Sequence, residues 1–121
     1  MHFLANKTED KIGEVTNMIR DAGTMKLLPG KAEEYERRHR KIWPELIESI
    51  KSYGAKNYSI FLNKETNELF SYLEIEDPQL WEKRSGDKLT KKWWDYMADI
   101  MEVNPDNSPV FIPLGEVFHL D

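Results

Sequence analysis

Two alternating stretches, residues 56–63 and 68–75, flank a short polar turn from Asn63 to Asn67. In the first, Tyr58, Ile60 and Leu62 share one side, and Asn57, Ser59 and Phe61 share the other. In the second, Leu69, Ser71, Leu73 and Ile75 oppose Phe70, Tyr72 and Glu74. A period of two on either side of a polar turn predicts a β-hairpin. A lone hairpin is marginal in water, so this one has to bury an apolar side against helices.

The flanking sequence supplies them. A helix begins near Lys31, with Glu33 and Glu34 in its first turn where negative charge suits the macrodipole. Pro44 either kinks that helix or opens a new one in its own first turn. Leu46, Ile47 and Ile50 form an apolar face beyond it, and Gly54 caps the end. After the hairpin, Asp77-Pro78 breaks the chain and starts a short helix through Trp81. Residues 87–102 predict the second main helix, with Leu89, Trp93, Met97 and Ile100 as its stripe.

Residues 18–28 read as an opening strand before the Pro29-Gly30 turn. Residues 110–120 read as a closing strand, confined by Pro113 to an edge or bulge. The order strand, helix, strand, strand, helix, strand predicts an α+β fold, the ferredoxin-like split βαβ arrangement. Helices cover one sheet face. A second copy of the chain is the expected cover for the other, which makes a homodimer. Residues 1–17 are polar and aperiodic, and are expected to be a disordered or extraneous appendage to a domain spanning 18–121.

The chain is 121 residues long, which is one domain. It has no cysteine, so disulfide frameworks and thiolate metal sites are excluded, and a reducing, cytoplasmic setting is expected. A net charge of -5 argues against nucleic acid or an anionic membrane as partner. No apolar run reaches membrane-spanning length.

The chemistry concentrates in E-E-Y-E-R-R-H-R-K-I-W-P-E-L at 33–46. Tyr35, His39 and Trp43 stand at i, i+4 and i+8, sharing one face if the helix is unbroken. Three large side chains with polar tips suit the wall of a pocket for a polar ligand. His39 is the candidate proton carrier, and Arg37 or Arg38 beside it a candidate ligand clamp. A histidine lodged against the core with its arginines in solvent fits the same spacing. Trp93 and Trp94 point about 100° apart on a helix, so one enters the core and the other faces a cleft or partner. Tyr58 and Tyr72 bring phenols to the hairpin, where aromatics are also favoured for packing alone. No histidine pair has metal-ligand spacing, and no phosphate loop is present. An enzyme of this composition is expected to work without metal or cofactor, by proton transfer on a small neutral molecule.

The run at 33–46 resembles that of the L-rhamnose mutarotase family. So do G-A-x-N-Y-S-I-F-L at 54–62, K-W-W-D-Y-M at 92–97, N-P-D-N-S-P at 104–109 and E-V-F-H-L at 116–120. The likeness covers Met18 to the C-terminus and does not need the appendage. It implies ferredoxin-like protomers joined in a dimeric α/β barrel, and interconversion of the α and β anomers of L-rhamnopyranose. It implies His39 as proton donor, with Tyr35, Tyr58, Trp93 and Trp94 contacting the sugar. Within such a barrel two other readings stand beside it: an oxygen- or haem-processing enzyme, and a sugar-binding module without catalysis.

Overall fold

The computed structural model describes residues 6–9 and 15–121. Its strands are β1 (Asn6–Glu9), β2 (Val15–Lys26), β3 (Ala55–Asn63), β4 (Glu68–Ile75) and β5 (Ile112–Leu114). Its helices are α1 (Ala32–Arg40), α2 (Pro44–Ser52), α3 (Pro78–Glu82) and α4 (Lys88–Met97), with a 3-10 turn at Lys83–Gly86 before α4. The sheet runs β1-β2-β4-β3, and β5 pairs with another stretch of β2. Every pairing is antiparallel. Because β4 lies between β2 and β3, the strands joined through α1 and α2 are split in the way expected of an α+β split βαβ unit.

Residues 1–5 and 10–14, His2 among them, lie outside the described residues. Within the stretch read from sequence as an appendage, Asn6 to Glu9 pair with Met18 back to Val15. The opening strand thus starts at Val15 rather than Met18.

The first helix does break before Pro44. Trp43 is extended, at φ -66° and ψ 129°, as steric contact with a following proline demands. Pro44 then opens α2 in its first turn. Gly54 ends the segment at φ +88°, in the left-handed region expected for a C-terminal cap. Asp77 caps α3, accepting from the Gln79 amide at 3.0 Å. Asp87 caps α4, its Oδ2 accepting from the Thr90 amide at 2.9 Å.

Two expected elements end early. The second main helix stops at Met97 instead of reaching residue 102. There the chain turns to extend the β2 end: Glu102 N donates to Lys26 O at 2.9 Å, and Leu28 N donates to Ile100 O at 3.0 Å. The closing strand is only Ile112–Leu114, with Pro113 opposite Gly23, and the exposed remainder runs on without regular structure.

The hairpin is not a plain ladder. Lys56 pairs with Glu74, but the next pair is Ser59 with Tyr72, so β3 holds one residue more than β4 across the step. Asn57 takes the left-handed backbone there at φ 52°, and its amide donates to Glu74 Oε1 at 2.7 Å.

The helix-covered face carries two apolar clusters. One gathers Leu27, Tyr35, Leu69, Met97, Ile100 and Met101. The other gathers Ala55, Leu73 and Ile75, with Ile19, Ile50 and Trp81 packed on it. Among the described residues no helix covers the opposite face. Phe61 pairs with Phe70, Phe70 with Thr24, and Thr24 with Ile112, so these four make one row across all the long strands. Phe61 and Ile112 are 67% and 60% exposed.

Candidate functional site

A cavity of about 1010 Å³ is lined by residues of both apolar clusters, and one edge of its wall is polar. Tyr35, His39, Tyr58, Trp93 and Trp94 all line it, and Arg84 joins them. The five residues singled out from sequence are therefore gathered from α1, β3 and α4 into one chamber.

Tyr35 and His39 are one helical turn apart on α1, with ring centroids 4.3 Å apart. His39 Nδ1 lies 3.1 Å from the Tyr35 carbonyl oxygen. A carbonyl can only accept, so Nδ1 carries the proton and Nε2 holds the free lone pair of the neutral ring. Trp93 meets the same imidazole edge-on at 5.4 Å. Burial pushes His39 below its ordinary 6.5, against a smaller upward pull from the Tyr35 carbonyl. The imidazole is accordingly neutral at pH 7.

Burial pushes the Tyr35 phenol up, and the neighbouring Tyr58 adds to the shift. Tyr58 is 39% exposed as a residue, yet burial raises its hydroxyl as well. Both phenols keep their protons at neutral pH and can donate and accept hydrogen bonds. Tyr72 does not join them. It faces the open side of the sheet, donating to Glu74 Oε2 at 2.9 Å.

Trp43 plays a different part from the one its spacing suggests. Leaving the helix before Pro44 takes it off the α1 face and sets it edge-on against Trp93 at 5.0 Å, with Tyr96 at 5.7 Å. It props the cavity wall from behind. Trp93 packs against the Leu27–Met101 apolar cluster, as expected of one of the two indoles, yet both Trp93 and Trp94 are half-buried and both line the cavity. Trp93 is held by edge contacts to His39 and Trp43.

Arg37 and Arg38 are committed to ion pairs. Arg37 Nη2 lies 2.5 Å and Arg38 Nε 2.7 Å from Glu34, and Arg38 Nη1 lies 2.8 Å from Asp99. These contacts hold the Glu34 carboxyl down at about 2. The arginine at the cavity is Arg84 instead, which sequence reading passed over. Its one signal was its place three residues after Trp81, and its guanidinium lies over that indole, 4.0 Å from the ring centroid. His119 is 2.8 Å from Asp121 in the exposed C-terminal stretch, away from these residues. Among the described residues no group of three or more metal-ligating side chains comes together, and no helix is long and apolar enough to cross a membrane.

The chain also matches proteins of known name. The family model described as L-rhamnose mutarotase matches residues 20–120. The L-rhamnose mutarotase of Lachnoclostridium phytofermentans is 55% identical over 104 residues, 86% of this chain and 100% of that one. That of Bacteroides thetaiotaomicron is 53% identical over the same shares. The crystal structure of an L-rhamnose mutarotase from Formosa agariphila superposes with a TM-score of 0.79 at 47% identity, covering 84% of this chain and 98% of that one. With motifs, fold and full-length relatives in agreement, the chain belongs to the L-rhamnose mutarotase family.

Proposed function

We propose that this protein interconverts the α and β anomers of L-rhamnopyranose in the cavity between α1, β3 and α4, with His39 as the proton carrier. The observation that carries the reading is the His39 ring itself, whose Nδ1 is spent on the Tyr35 carbonyl while Nε2 is left to a ligand. The family supplies the sugar.

In the ring-opening step the anomeric O1–H proton moves to Nε2. The C1–O5 bond breaks, C1–O1 becomes a carbonyl, and the imidazolium gives its proton to O5. O1 and O5 are both bonded to C1, so one nitrogen serves both. This gives His39 the acid role at the ring oxygen, entered from a neutral resting state. The aldehyde rotates about C1–C2, and the reverse transfers close the ring on its other face. No atom is gained or lost, and no cofactor enters. A positioned acid–base group is worth about 100- to 10,000-fold in rate. Trp93 and Trp94 cover the apolar C–H face of the sugar, and Tyr35 and Tyr58 bond its oxygens.

The working unit is residues 18–121, acting as a cytoplasmic homodimer in which two open sheet faces meet as a dimeric α/β barrel. The exposed row of Phe61, Phe70 and Ile112 supports that pairing, as do Val117, Phe118 and Leu120, which a lone protomer leaves 77% or more exposed. Relatives matched over their whole length leave out part of this chain, which supports a dispensable N-terminus.

Exchange NMR at the anomeric protons of L-rhamnose tests the activity. Faster exchange with protein present is expected. Tight binding with unchanged exchange would make this a sugar-binding module.

A further inference from the structure

Arg84 sits where the described chemistry has no use for it. It lines the same cavity as His39 and Tyr58. Its Nε is fully buried and, among the described residues, has no hydrogen-bond partner. Asp87 attracts it electrostatically, but that carboxylate is engaged at the α4 terminus, where Oδ2 accepts from the Thr90 amide and hydroxyl. Guanidinium stays charged in proteins, so burial leaves a cation with an unanswered donor beside a cavity. An arginine needed only for packing over Trp81 would leave its donors in solvent or on a carboxylate.

Tyr35 touches His39, Tyr58 bears electrostatically on Tyr35, and Arg84 on Tyr58. Arg84 enters from the 3-10 turn before α4, on a different element from His39. Asp21 also bears electrostatically on Tyr58. It pairs with buried Leu73 on the helix-covered face, and its carboxyl is raised by burial. The mutarotase reading makes the fitting acceptor a hydroxyl of a neutral polyol.

We propose that Arg84 is a positioning ligand for the substrate, donating to one non-anomeric hydroxyl oxygen of the bound sugar and helping to set which sugars the cavity accepts. This rests on the mutarotase reading of the cavity.

The test measures dissociation constants of L-rhamnose and its 2-, 3- and 4-deoxy analogues for wild type, Arg84→Met and Arg84→Lys, with anomer exchange in parallel. Arg84→Met is expected to weaken L-rhamnose by roughly 10- to 100-fold, the weight of a hydrogen bond to a charged group. One deoxy sugar, disfavoured by wild type, should bind the variant as well as L-rhamnose does. A merely structural arginine would not level a single hydroxyl in this way. Arg84→Lys keeps the charge but loses Nε, so it gives the same comparison should the Met variant fail to fold. Equal discrimination against all three analogues in wild type and folded variants overturns the proposal while leaving the mutarotase reading intact. Wild type that neither binds L-rhamnose nor speeds exchange overturns both.

Discussion

His39 Nδ1 lies 3.1 Å from the carbonyl oxygen of Tyr35, one turn back along α1. The bond fixes both the tautomer and the angle of the imidazole. His39→Asn keeps a donor at this position but cannot carry a proton near neutrality. It should bind L-rhamnose normally and exchange anomers roughly 100-fold or more slowly. Line-shape or saturation-transfer NMR reads this directly. Near wild-type exchange would move the proton carrier to a phenol or carboxylate.

The pH dependence has a defined sign. The folded His39 takes up its proton below its ordinary 6.5, because burial disfavours the charged ring. In the window between the folded and unfolded values the unfolded chain binds more protons. This residue's contribution to stability therefore falls as pH drops from about 6.5, and levels off below the folded value. The rate should follow the neutral ring: flat above about 6.5, then falling on acidification. A rate that rises on acidification would make the imidazolium the resting catalytic form.

Both tryptophans at the cavity should report the sugar, but unequally. Trp93 is wedged between His39 and Trp43, so Trp93→Ala removes part of the wall and should lower stability by about 3–5 kcal/mol as well as weaken binding. Trp94→Ala should weaken L-rhamnose binding with a smaller loss of stability. Fluorescence titration and thermal melts on the two variants check this. Unchanged dissociation constants in both would leave the indoles as packing residues.

The open sheet face predicts the assembly. Phe61→Glu places a charge in the exposed Phe61–Phe70 pair. Wild type should scatter light as a dimer at micromolar concentration, and the variant should shift toward half that mass. A monomeric wild type would leave the apolar row without its proposed cover.

Gly23 answers for the edge of the sheet. A Cβ there would fall 2.0 Å from Cζ of Phe111, whose ring lies across the glycine just before β5. Gly23→Ala should cost about 1–3 kcal/mol in a urea titration by displacing that ring. Adding Phe111→Ala should recover part of the loss, since the three atoms nearest that Cβ all belong to the Phe111 ring.

Much of this was legible along the chain. The faces of the hairpin followed from its period of two, and Pro44 and Gly54 marked real ends. His39, Tyr35 and Tyr58 were readable because each lies in a strongly patterned element. What could not be read was long-range. Met97 ends α4 because Lys26 and Leu28, some seventy residues earlier, offer ladder positions to the chain beyond it. Arg37 and Arg38 looked like ligand clamps until Asp99, from beyond α4, came within reach of one of them. Arg84 lies in a short turn with no period, so only the folded cavity singles it out.

The extra residue in β3 settles more than a kink. Counting inward from Ala55, strict alternation would send Tyr58 to the open sheet face, beside Tyr72. Asn57, in its left-handed turn, inserts one step and brings Tyr58 under the helices. The site is thus written in parity as well as in residue identity. Losing one residue between Gly54 and Tyr58 would remove the bulge and leave the phenol on the same inner face, opposite Leu73 in a plain ladder. Three steps separate Ala55 from Tyr58, and an odd count puts both on the inner face only when one step is taken up by a bulge. Length, in this segment, is an odd-or-even variable, and Asn57 is the residue that reconciles it with the cavity.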